Sequence, residues 1–177
     1  MEGKEKGSPW GSTLDWDDCS IEEPWACLDS HRWYRTTVEI PPHLDGAHVE
    51  FLITTGREGQ WDATNPQMLF YLNGNIVQGV DVNHREILIS SGAKAGERYE
   101  IAILAYSGSV PGDLIIRTEL VRVDDAVEKA YYDFLVPVQA ARLLKKPDEA
   151  NYRRILVKLG PAADALDLRE PYSSRFY

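Results

Sequence analysis

Asn73-Gly74 stands between Phe70-Tyr71-Leu72 and Ile76-Val77, and this arrangement constrains the fold more than any other in the chain. Both residues tolerate the positive φ that a two-residue type I′ turn needs, so the flanking segments are predicted to form a hairpin with Tyr71 opposite Ile76. Around that hairpin, polar side chains gather. Trp61, Asp62, Asn65 and Gln67 precede it, and Asp81, Asn83, His84, Arg85 and Glu86 follow. That is more polarity than solubility requires, and such clustering on loops marks a candidate site.

On both sides of the hairpin the apolar residues recur with a period of two, the signature of half-buried strands. Tyr34, Thr36, Val38 and Ile40 alternate with Arg35, Thr37 and Glu39, and Pro41-Pro42 stops the run. Val49, Phe51 and Ile53 then alternate with His48, Glu50 and Thr54. Ile87 to Ile89 is a short strand apolar on both sides. Tyr99, Ile101, Ile103 and Ala105 share a face, with Tyr99 and Tyr106 as core or rim residues, and Leu114, Ile116, Thr118 and Leu120 repeat the pattern. Short strands at this spacing, joined by Gly, Pro and Asn turns, predict an antiparallel sandwich or barrel over residues 31–123.

Beyond Val123 the period lengthens to about 3.6. Asp125 with Glu128 has the form of a capping box, and Val127, Tyr131, Phe134, Leu135 and Val138 make a helical stripe in which Pro137 is expected to cause a kink or break. A second helix is predicted from Pro147 to Gly160-Pro161, with a short third piece through Leu166. The remainder, ending in Ser-Ser-Arg-Phe-Tyr, has no closing turn and reads as the front of a longer polypeptide.

Residues 1–30 carry Trp10, Trp16 and Trp25 in a Gly-, Pro- and acid-rich stretch without periodicity. They read as a partly disordered arm pinned to the domain by its rings. The chain of 177 residues suits one core plus an appendage, and 44% hydrophobic with 27% charged residues is the composition of an ordinary soluble domain. A net charge of -9 argues against nucleic acid or an anionic membrane as the main partner. No apolar run has the length of a membrane span, and Met1 to Ser12 lacks the apolar core of a signal peptide, so a cytoplasmic location is expected. Cys19 and Cys27 can pair, but their spacing is not that of a zinc site, and free thiols are favoured.

Catalytic chemistry has few candidates. His31, His43, His48 and His84 fall on different elements without metal-ligand spacing, and no nucleophile elbow or phosphate loop is present. Asp62, Asp81 and Glu86 could supply a carboxylate pair for glycoside hydrolysis, yet Arg57, Arg85 and the turn backbone give each an easier structural role. Trp61 with Asp62, Asn65, Gln67, Asp81, Asn83 and His84 forms a candidate carbohydrate-binding set, which demands less precision. The bland alternative is that these groups tie loops together.

The pattern Asn65-Pro66-Gln67, Tyr71, Asn73-Gly74, followed by Gln78-Gly79, Asp81 and Asn83-His84-Arg85-Glu86, resembles the N-terminal region of microbial α-mannosidases of glycoside hydrolase family 38. The resemblance takes in residues 31–46 and 102–108, then 127–144 and 165–177, which are similar to the helical linker leading into that family's catalytic domain. It implies a mainly β fold: an antiparallel β-sandwich, jelly-roll-like or galactose-binding-domain-like, followed by a helical linker segment over residues 124–177. It also implies an accessory role, with the catalytic domain of the same longer polypeptide as partner and mannose-containing glycans or a second copy as further candidates. The family's zinc and nucleophile belong to its catalytic domain, so no cofactor is expected here. The only His-x-Asp, His43-Leu44-Asp45, reads as a turn between strands, and no catalytic residue is carried over.

Overall fold

Strands form where the alternation predicts them. The computed structural model describes the backbone of Glu2–Gly3 and residues 29–56, 67–108 and 115–166. Trp10, Trp16, Cys19, Trp25, Cys27, Arg57, Trp61, Asp62, Asn65, Leu114 and the stretch 167–177 lie outside them. In chain order the elements are β1 (Glu2–Gly3), β2 (His31–Glu39), β3 (His48–Thr54), β4 (Gln67–Leu72), β5 (Asn75–Val80), β6 (Glu86–Ser90), β7 (Arg98–Tyr106), β8 (Arg117–Val123), α1 (Asp125–Leu144) and α2 (Glu149–Ala165). The chain divides into two compact units after Val123.

The first unit is antiparallel β. One sheet has five strands in the order β1-β2-β7-β4-β5, and the other has three in the order β6-β3-β8. Their inner faces share one apolar cluster. Met68, Phe70, Ile101 and Ile103 come from the larger sheet, while Val49, Phe51, Ile53, Ile87 and Ile89 come from the smaller. Phe51 meets Phe70 with ring centroids 5.5 Å apart, a direct aromatic contact from sheet to sheet of the kind sandwich cores use. Ile87 and Ile89 are buried while Leu88 between them is exposed, so β6 has one wet face after all.

The loops obey the turn chemistry. Asn73 and Gly74 have φ of 47° and 84°, and Tyr71 pairs with Ile76 as the two-residue turn requires. A bulge follows between Phe70 and Tyr71. Pro41-Pro42 ends β2 and begins a single 3-10 turn over Pro42–Leu44 that buries Leu44. Asp45 accepts a hydrogen bond from the Ala95 N–H at 2.9 Å, which makes His43-Leu44-Asp45 a turn locked onto the neighbouring loop. The two-residue β1 pairs with Tyr34 and Trp33 of β2, in a stretch where the sequence has no periodicity.

In the second unit three sequence expectations are corrected. The cap of α1 is Asp124, not Asp125: its carboxylate accepts from the Ala126 and Val127 N–H groups at 3.1 and 3.2 Å. Pro137 neither splits nor ends α1, which runs unbroken over 20 residues. A proline removes one backbone donor, and the hydrogen bonds of the turns on either side hold the rest of a long helix. Likewise α2 begins after the cap Asp148, one residue beyond Pro147, and continues through Gly160-Pro161 to Ala165, so there is no separate third piece. The Arg153 guanidinium reaches Glu149 at 2.7 Å, one turn away. No helix among the described residues is long and apolar enough to cross a membrane.

Candidate functional site

The outward face of the five-stranded sheet is built in rows by its register. Core residues of β7 are Tyr99, Ile101, Ile103 and Ala105, so Ala102, Leu104 and Tyr106 point the other way. Pairing then sets His31, Tyr106 and Gln67 side by side, and places Trp33, Leu104, Leu69 and Gly79 in the next row. Above these two rows lies a cleft of about 460 Å³, closed at the β5 end by Asp81. It is within the size range of small-molecule sites.

One wall is aromatic. The His31 and Tyr106 rings stand 4.8 Å apart, and the Tyr106 hydroxyl donates to Asp29 Oδ1 at 2.8 Å. That hydrogen bond to a carboxylate pushes the Tyr106 phenol above its ordinary range. The chain before β2 is tied to the end of β7: Asp29 N–H donates to the Gly108 carbonyl at 2.8 Å and Ser107 N–H to the Ser30 carbonyl at 3.0 Å. Beside the cleft, Trp33 is buried against Tyr71, with ring centroids 5.3 Å apart. Its Nε1 has no hydrogen-bond partner among the described residues.

The opposite wall is Asp81. Its Oδ1 accepts from the Asn83 N–H at 2.8 Å, the His84 N–H at 2.8 Å and the His84 ring Nδ1 at 2.9 Å. Burial works to raise the carboxyl, but these hydrogen bonds outweigh it and hold the group below its usual range. Asp81 is therefore an ionised acceptor at neutral pH, and its loop is shaped around it.

Of the residues singled out in the sequence, the structure brings Gln67 and Asp81 to the same cleft. Asn83 and His84 are exposed and complete the Asp81 turn. Trp61, Asp62 and Asn65 lie outside the described residues. Glu86 is occupied locally: its carboxylate accepts from the Arg85 N–H at 3.2 Å and meets the Arg85 guanidinium at 3.6 Å. Sequence reasoning missed His31, Leu69, Gly79, Leu104 and Tyr106. In the sequence Tyr106 reads only as a core or rim residue of the sheet, and strand order alone puts it and Leu104 beside β4 and β2. Among the described residues no group of three or more His, Cys, Asp or Glu side chains stands close enough to hold a metal ion. No protein-family model matches the chain, and no curated protein matches it either.

Proposed function

We propose that this chain is the non-catalytic N-terminal part of an α-mannosidase: a jelly-roll-like or galactose-binding-domain-like sandwich with a helical linker, resting against the catalytic domain of the same polypeptide. Zinc and the carboxylate nucleophile would belong to that catalytic domain, and the location would be cytoplasmic. The observation that carries the reading is the apolar surface of the helical unit. Tyr131, Tyr132, Val136 and Leu143 of α1 and Val157 of α2 are exposed by half or more, and Ala141 is the only buried residue of the two helices. Large apolar side chains left exposed in this number on one helical pair are what an interaction surface presents. The sequence motifs around the Asn73-Gly74 hairpin supply the family.

The test is the size of the native polypeptide in source cells, detected with an antibody against residues 31–123. A band several times larger than 20.0 kDa is expected; a band near that mass overturns the reading. A second reading is a carbohydrate-binding module using Trp61 with Asp62, Asn65, Gln67, Asp81, Asn83 and His84. It is favoured by the placement of Gln67 and Asp81 on one cleft. Titration of the chain with mannobiose, followed by tryptophan fluorescence in the native protein and in Trp61→Ala, tests it: a saturable change lost in the variant supports that set, and an unchanged variant removes Trp61 from it.

A further inference from the structure

Gly79 is the least expected residue on the outer sheet face. It lies in β5, paired with Leu69, and a glycine inside a strand weakens it through chain entropy and lost packing. Two ordinary reasons for a glycine are missing. Its φ is not in the left-handed region, and a Cβ built there meets nothing within 4 Å. What remains is that space above the backbone is itself useful, as where a ligand approaches closely.

We infer that the cleft over Gly79 binds a neutral pyranose ring, at a sugar site that shares Gln67 and Asp81 with the Trp61 set but is completed by Leu69, Leu104, His31 and Tyr106 and does not require Trp61. The chemistry of the walls selects this ligand class. Leu69 and Leu104 form an apolar floor, and the Tyr106 and His31 rings flank it, which suits the C–H face of a sugar. Gln67 supplies amide donors and an acceptor, and the ionised Asp81 supplies acceptors, which suits hydroxyl groups on the ring's edge. Among the described residues lining the cleft there is no Lys or Arg, so phosphates and carboxylates find no counter-charge and meet Asp81 and a net charge of -9 instead. The cleft's volume admits one or two rings.

Mannose as the particular sugar rests on the α-mannosidase reading; the existence of the site does not. The test is calorimetric titration of the full chain with methyl α-mannopyranoside, mannobiose, methyl β-glucopyranoside and, as a cation, choline chloride. Saturable binding of at least one neutral sugar is expected. Gly79→Val, whose branches fill the open space, should weaken it by about tenfold or more, with the thermal unfolding temperature unchanged or raised, because a β-branched residue suits a strand better than glycine. Gln67→Ala, at an exposed position, should weaken it severalfold without filling the cleft. No saturation by any neutral sugar overturns the proposal, as does equal affinity in Gly79→Val or binding of choline alone. Binding of the glucoside without either mannoside keeps the site and counts against the mannosidase reading. No sugar binding together with a large native polypeptide removes the site and leaves that reading standing.

Discussion

Asn73 and Glu100 exchange two hydrogen bonds: the Asn73 N–H donates to the Glu100 carbonyl at 2.8 Å, and the Glu100 N–H donates to Asn73 Oδ1 at 2.9 Å. The hairpin turn is thereby fastened to β7, the strand beside β4. Asn73 also holds a φ of 47°, where an ordinary side chain is strained. Asn73→Ala should therefore cost about 1–2 kcal/mol in urea unfolding. Asn73→Gly should recover the strain and not the side-chain hydrogen bond, so its loss should be the smaller of the two.

Phe70 is fully buried and touches Phe51 of the other sheet. Phe70→Ala should destabilise the β unit by about 3–5 kcal/mol, the transfer cost plus a cavity between the layers. Chemical denaturation followed by near-ultraviolet circular dichroism checks this. Phe70→Leu should lose much less.

Asp81 gives the β unit an acid-sensitive element. Its folded pKa is depressed, so its contribution is present above the unfolded carboxylate pKa and lost as pH falls through the folded value. The side chain is 39% exposed, and the contribution should stay below about 1 kcal/mol. Carboxyl-carbon NMR titration should find Asp81 below the ordinary range. His84→Ala should move it upward, and Asp81→Asn should flatten this part of the acid limb.

Pro137 lies within α1, where its missing N–H breaks the hydrogen-bond ladder. Pro137→Ala should stabilise the helical unit by about 1–3 kcal/mol. The checks are an increase in helical circular dichroism and a higher unfolding temperature. A decrease in both would mean that the proline ring packs in a way the ladder argument ignores.

Much of the β unit was legible in the sequence because period-two alternation is a local signal with one geometric meaning. Val49, Phe51 and Ile53 face inward as that pattern demands, and Asn73-Gly74 determines its own register. The helix boundaries were less legible. Pro137 and Gly160-Pro161 carry strong local penalties, yet a helix is cooperative over many residues and absorbs one absent donor. The cap moved one place because Asp124 and Asp125 are chemically equivalent, and only backbone geometry distinguishes them. The cleft was the least legible feature. Gln67 and Asp81 flank one hairpin and were found together, but His31 and Tyr106 join them only through the strand order β2-β7-β4-β5. No local pattern encodes that order.

The same strand order bears on how the chain becomes folded. His31 pairs with Tyr106, so β2 waits for a partner synthesised more than half a unit later, while β3 meets β6 first and waits longer still for β8. The β4–β5 hairpin is the nearest thing to an early local nucleus. Long loops must close before the distant pairings can reward them, which places this topology among slow folders, in the millisecond-to-second class. During translation β2 emerges with one edge of backbone N–H and C=O groups unpaired until β7 leaves the ribosome. Over that interval the nascent chain is most exposed to misassociation, and most in need of a chaperone.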